Sequence, residues 1–215
     1  MLYFCAMVFQ LSTDYIAFPN PVFAEADGLL AIGGDLSVER LQLAYRSGIF
    51  PWYNEDEPIL WYAPHERCVL FPDKIKVTKS MSQVIRRGTF SITKNESFKE
   101  VIQLCANTYK PGQEGTWIGS EMQKAYIRLH EKGMAQSIEI WHNGSLAGGL
   151  YGVEVGKVFC GESMFSLMPN ASKMALIWLC RNGGYDLVDC QMPNPHLMSL
   201  GAEMISMQKY LSFLK

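Results

Sequence analysis

The stretch QSIEIWHNGSLAGGLYGVEVGKVFCGES, residues 136–163, decides the fold. Its first segment alternates in hydrophobicity, as a half-buried strand does. Asn143-Gly144 is the dipeptide that fits a two-residue hairpin, because both central residues of that turn need positive φ. Gly156 marks the next reversal. Three consecutive antiparallel strands follow from these signals.

Outward from this meander the elements alternate cleanly. Upstream, SFKEVIQLCAN pairs Ser97 with Glu100 at capping-box spacing, and SEMQKAYIRLHEKG pairs Ser120 with Gln123, so each predicts a helix. Downstream, ASKMALIWLCRNGG predicts a helix, YDLVDCQ a strand and PHLMSLG a short helix. An antiparallel meander followed by a helix and one more strand is an α+β arrangement.

The first part of the chain is less regular. SVERLQLAYRSG predicts a helix with Ser37 at its N-cap and Gly48 as its stop, RCVLF a strand, KSMSQVIRRG a helix ended by Gly88, and TFSITKN a strand. Residues 18–36 and IFPWYNEDEPILWYAP, dense in Pro, Gly and aromatics, read as ordered loops. MLYFCAMVFQL reads as a first strand, since it has no basic leader and is too short to span a membrane. A division is expected near residues 88–96.

Composition narrows the function. With 215 residues, 48% hydrophobic and 19% charged, the chain has ample material for a core. A net charge of −2 gives no global attraction for nucleic acid, so any RNA contact relies on a local patch. Lys74, Lys76, Lys79, Arg86 and Arg87 supply one. Tyr45, Trp52, Tyr53, Trp61, Tyr62 and Trp117 are rings able to stack on unpaired bases. The six cysteines form no CxxC pair and the four histidines no zinc spacing, so reduced thiols, a cytoplasmic protein and no metal are expected. Cys160 reads as a structural thiol.

Glu162 stands out, placed among Val158, Phe159, Cys160, Met164 and Phe165. An unpaired buried carboxylate is costly, so it needs a partner or a purpose. Asp189 and Gln191 would share one face of their strand. The three are candidates for one polar site.

The motifs GLLAIGGDL, GIFPWY, PILWYAP, EGTWI, GGLYGV, VFCGESMFS and DCQ occur in fixed order, from about Ile16 to Tyr210. In this order they closely resemble the leucyl/phenylalanyl-tRNA–protein transferase family. The resemblance implies a small N-terminal α/β domain, residues 1–90, that contacts tRNA. It implies a C-terminal catalytic domain, residues 91–215, with the GNAT-like fold and a mixed, largely antiparallel sheet. It also implies transfer of Leu or Phe, less often Met, from aminoacyl-tRNA to a protein's N-terminal Arg or Lys, marking it for N-end-rule degradation. ATP, metal and membrane have no part in that expectation.

The same resemblance implies residue roles. Gln191 contacts the attacking amine, Asp189 orients Gln191, and Glu162 fixes the cationic acceptor. Leu150 and Phe159 line the donor side-chain pocket. Trp52 and Trp117, with Tyr45 and Tyr126, lie near the tRNA 3′ adenosine. The rival readings are an acyl-CoA enzyme, which lacks its [QR]xxGx[GA] loop here, and a non-catalytic RNA-binding module.

Overall fold

The computed structural model describes residues 8–108 and 117–215. The expected first strand is therefore judged only in part: β1 is Phe9–Leu11, and residues 1–7 lie outside the described residues. β1 opens a four-stranded sheet with β2 (Leu29–Gly33), followed in the chain by helix α1 (Val38–Arg46), β3 (Phe50–Pro51) and β4 (Leu60–Tyr62), in the order β1-β2-β4-β3. Two stretches expected to be loops thus contain strands. Their strands run for only two to five residues, and Pro and Gly on either side hide so short a period. Pairing β2 with β4 buries Trp61 completely, and its indole N–H donates to the Gly33 carbonyl at 2.8 Å. Trp61 is core, and its ring is unavailable for stacking on a base.

The chain then enters a second, seven-stranded sheet. In chain order come β5 (Glu66–Leu70), α2 (Lys79–Arg87), β6 (Ser91–Lys94), α3 (Phe98–Asn107), α4 (Ser120–Glu131), β7 (Ala135–His142), β8 (Ser145–Val155), β9 (Val158–Ser166), α5 (Ala171–Asn182), β10 (Leu187–Gln191), α6 (Pro195–Ser199), β11 (Glu203–Ser206) and α7 (Met207–Phe213). The strand order is β11-β5-β10-β9-β8-β7-β6. Only β9 and β10 run parallel; the other neighbours are antiparallel. This is the mixed, largely antiparallel sheet expected of an α+β chain. Asn143 and Gly144 have φ of 50° and 78°, the geometry the hairpin demands. Sheet membership changes between Tyr62 and Glu66, so β5 joins the large sheet although it precedes residue 90.

Helices cover both faces of this sheet. Val101, Ile102 and Cys105 of α3 and Met122, Ala125 and Leu129 of α4 pack on one face. Met174, Ala175, Leu176, Ile177 and Leu179 of α5 and Met81 of α2 pack on the other. Each Val, Leu, Ile or Met among them contributes about 1.5–3 kcal/mol on full burial.

Helix ends correct two expectations. Ser97 caps no backbone N–H; its hydroxyl donates to Glu100 Oε2 at 3.2 Å. Ser120 is the first helical residue, not the cap, and Glu55 from the β3–β4 loop accepts its N–H at 3.0 Å. The expected caps at Ser37 and Gly88 form, with Gly88 left-handed at φ 63°. β11 and α7 were not anticipated. Ile205 and Tyr210 from them are buried, and Tyr210 reaches the site described below.

Candidate active site

The site is made where β9 and β10 part. The two strands pair only over Val158–Cys160 and Leu187–Asp189. Each then carries a bulge. On β9 the partners jump from Tyr151↔Ser163 to Gly152↔Gly161, leaving Glu162 as the extra residue. On β10 they jump from Asp189↔Val69 to Gln191↔Cys68, leaving Cys190 as the extra residue. The bulges aim Glu162 and Gln191 into the gap between the strands.

The second bulge overturns the expected shared face of Asp189 and Gln191. Gln191 is left-handed, at φ 60°, a conformation that disfavours a non-glycine residue by about 1–2 kcal/mol. Its backbone N–H donates to Asp189 Oδ1 at 2.8 Å. Asp189 therefore fixes the Gln191 main chain, not its side-chain amide.

Asp189 is itself held by a clamp absent from the sequence expectations. Arg67 donates from Nε to Oδ1 at 2.9 Å and from Nη2 to Oδ2 at 2.8 Å, and Tyr210 donates its hydroxyl to Oδ2 at 2.7 Å. The guanidinium lies between the Phe50 and Tyr210 rings, at 4.7 and 4.6 Å. Burial works to lower the Arg67 pKa, but the adjoining Asp189 carboxylate outweighs it, so the net direction is upward and the guanidinium stays charged. The one sequence sign of Arg67 is a charge beside an apolar strand; nothing flags Tyr210.

Glu162 has partners of a different kind. Its Oε2 accepts from the Tyr126 hydroxyl at 2.9 Å, and the Tyr126 hydroxyl is in turn hydrogen-bonded to that of Tyr45. Its Oε1 accepts from Gln191 Nε2 at 2.9 Å. Burial pushes its carboxyl pKa up to about 7, against the lowering effect of hydrogen bonds from Tyr45, Tyr126 and Gln191. Tyr45 and Tyr126 are 1% and 0% exposed, so Tyr45 is not one of the rings able to stack on an unpaired base, and any place of the two near the 3′ adenosine is without stacking. A ring so enclosed has no face to offer, and the phenols serve the carboxylate instead.

Beside this polar group lies a cavity of about 750 Å³. Leu150 and Phe159 come together in its wall, with Met164, Leu176, Leu179 and Val188, which sequence reading missed. A second hollow is lined by Phe50, Trp52, Tyr53 and Tyr62. The two hollows share Trp117, Glu162, Cys190, Gln191 and Asn194. Trp52 is 43% exposed and sits 5.6 Å from the Tyr62 ring. Cys160 is fully buried and its thiol pKa is raised by that burial, which suits packing and not nucleophilic attack. The site thus offers an apolar hole, a neighbouring aromatic hollow, and a carboxylate–amide couple where they meet.

An α+β layer that opens between two bulged strands, with such a couple over an apolar hole, suits the class of acyl-group transferases. The chain belongs to the leucyl/phenylalanyl-tRNA protein transferase family, and is an aminoacyltransferase. The family model described as leucyl/phenylalanyl-tRNA protein transferase matches residues 69–215, and the model of that protein's N-terminal domain matches residues 34–65. The leucyl/phenylalanyl-tRNA–protein transferase of Flavobacterium psychrophilum is 53% identical over 206 residues, covering 94% of this chain and 98% of its own. That of Lawsonia intracellularis is 48% identical, covering 97% and 92%. Among solved structures, FemX is similar at 11% identity and a TM-score of 0.48, covering 79% of this chain and 66% of its own. No helix among the described residues is long and apolar enough to cross a membrane.

Proposed function

We propose that the chain moves Leu or Phe, and less often Met, from aminoacyl-tRNA to the α-amine of a protein's N-terminal Arg or Lys, marking that protein for N-end-rule degradation in the cytoplasm. The observation that carries this reading is the meeting of two hollows at Glu162 and Gln191. The apolar cavity takes the donor side chain. The aromatic hollow, through Trp52 and Trp117, takes the 3′ adenosine. Gln191 then stands where ester and amine meet.

Little acid–base power is needed. The donor ester is already activated, and an α-amine with a pKa of roughly 7.7–8.0 is partly neutral near pH 7. The amine nitrogen attacks the ester carbonyl, the bond to the ribose oxygen breaks, and the proton the amine gives up to water is matched by one that water returns to the ribose oxygen, which leaves as the tRNA's hydroxyl. Holding the two in near-attack geometry supplies much of the acceleration. Gln191 accepts a hydrogen bond from the amine and orients it.

The test is purified protein with radiolabelled Leu-tRNA and a peptide beginning with Arg. Label is expected in the peptide, and acetyl-CoA is expected not to turn over. Acetyl transfer without tRNA would install the acyl-CoA reading. Equal binding of charged and uncharged tRNA without transfer would install the RNA-binding one.

Donor choice follows from the cavity wall. An apolar pocket discriminates by only about 1–3 kcal/mol per methylene, so tolerance of Leu, Phe and Met is expected while β-branched donors fail on shape. Phe159→Ala should re-rank Leu, Phe, Met and Trp donors while leaving peptide saturation alone. Phe→Ala in a packed site costs about 3–5 kcal/mol, so the ranking is read on soluble protein whose melting has been checked. An unchanged ranking removes Phe159 from the pocket.

The N-terminal portion, residues 1–90 as expected from sequence, takes the tRNA in this reading. Lys74, Lys76, Lys79, Arg86 and Arg87 are all exposed around α2, although Lys74 lies 3.5 Å from Glu203. Each phosphate neutralised steepens the salt dependence of binding by about 0.7–0.9 in log–log slope. A variant with Lys74, Lys76 and Lys79 all changed to Ala should flatten that slope by about two. A slope equal to that of the parent would place the tRNA elsewhere.

A further inference from the structure

We propose that Tyr45 and Tyr126 are positioning residues that hold the Glu162 carboxylate so that Gln191 presents its amide oxygen, and not its amide nitrogen, to the attacking amine. This rests on the aminoacyl-transfer reading and adds a device to it. The device is a row of hydrogen bonds. It runs from the hydroxyl of Tyr45, on α1, to that of Tyr126, on α4, then to Glu162 Oε2, and from Glu162 Oε1 to Gln191 Nε2.

The chemistry of the carboxylate explains why its form matters. An ionised carboxylate only accepts hydrogen bonds. It therefore draws Nε2 of Gln191 toward itself and turns Oε1 away, toward the hollows that Gln191 lines. A protonated Glu162 can donate instead, so the amide can rotate and offer NH₂ to an amine that needs an acceptor. The active form is thus the ionised one.

Several titratable groups face Glu162: Tyr45 from α1, Tyr126 from α4, Tyr151 from β8, Cys160 from its own strand, and Asp189 from β10. The phenols of Tyr45 and Tyr126 lower the Glu162 pKa, whereas Asp189 raises it. Tyr45, Tyr126 and Tyr151 have pKa values raised well above the ordinary phenol range, chiefly by burial, so these phenols stay protonated. With the carboxyl pushed up to about 7, the two donors help keep it ionised near neutral pH. A phenol also adds one fixed direction that water would not.

Tyr126→Phe and Tyr45→Phe keep the rings and remove one hydroxyl each. Tyr126→Phe removes a hydrogen bond to the charged group itself and should move the Glu162 midpoint upward by about one pH unit; Tyr45→Phe, whose hydroxyl bonds that of Tyr126, should move it the same way but less. In Tyr126→Phe the single-turnover rate should then fall about eight-fold near pH 6.5 but less than two-fold near pH 8.5. The peptide's own amine titrates identically in all the proteins, so the difference between profiles isolates Glu162. A merely structural role would lower the rate alike at every pH. The second measurement needs no turnover: a ¹³C NMR titration of glutamate carboxyls, with Glu162 assigned by its loss in Glu162→Gln. A raised Glu162 midpoint in Tyr126→Phe and Tyr45→Phe supports the device. A midpoint unchanged in both overturns it, whatever the rates. If the wild-type protein transfers nothing while the NMR midpoints move, the function reading fails and the hydrogen-bonded row stands.

Discussion

Arg67→Met is expected to lower stability by about 3–5 kcal/mol and to remove most of the transfer activity. The cause is the charge left behind. Asp189 is 0% exposed and takes both Nε and Nη2 of Arg67, so its loss strands a buried carboxylate with Tyr210 and the Gln191 N–H as partners. Methionine keeps much of the volume between the Phe50 and Tyr210 rings, so the effect is chiefly electrostatic. Removing both charges together, as Arg67→Met with Asp189→Asn, should cost less than the sum of the single changes, because the second replacement relieves what the first created. Urea unfolding of the four proteins reads this directly. A strictly additive double variant would mean that the pair contributes nothing as a pair. Activity should follow the same logic by another route. Asp189 acts on the reacting atoms through Gln191, by holding its main chain and by the charge it sets beside Glu162, so Asp189→Asn should cost little transfer rate in a Gln191→Ala background.

How much of this was legible in the sequence depends on distance along the chain. The meander, α3, α4, α5 and β10 were readable because their signals are local: an Asn-Gly turn, apolar periods and glycine stops. The strands β2, β3 and β4 were not, since their pairing, not their own pattern, makes them strands. The clamp joins residues 122 positions apart and the two phenols 81 apart, and no periodicity encodes such contacts. Residues in the site were legible by type: a carboxylate in VFCGESMFS and polar groups in VDCQ. Their relation was not. Strand alternation gave Asp189 and Gln191 one face, and the bulge at Cys190 cancelled it. Glu162, expected to fix a cationic acceptor, also accepts hydrogen bonds, unforeseen from the sequence, from two neutral neighbours, Tyr126 and Gln191.

The bulge at Glu162 has a sequence requirement of its own, and Gly152→Ala tests it. A Cβ on Gly152 would stand 2.2 Å from the Cys160 carbonyl oxygen and 2.6 Å from Phe159 Cε1. The first of these neighbours is main chain, paired in the sheet, and cannot swing aside as a flexible side chain would. The second is a fully buried ring in the wall of the apolar cavity. To admit one methyl group, β8 and β9 must separate where Gly152 faces Gly161, one step from the extra residue. Overpacking of this kind costs about 3 kcal/mol. For a chain of this size that lowers Tm by roughly 6–12 °C. Gly156→Ala is the informative comparison: no atom lies within 4 Å of its added Cβ, and only its φ of 58° opposes the change. It should cost about 1 kcal/mol, the ordinary penalty for a side chain in left-handed backbone. Below its Tm, the Gly152→Ala protein should also transfer poorly, because shifting β9 pulls Glu162 from the Gln191 amide. A Gly152→Ala protein that melts with Gly156→Ala and transfers at the wild-type rate would show that the strands yield freely there. The placement of Glu162 would then owe nothing to the missing side chain opposite it.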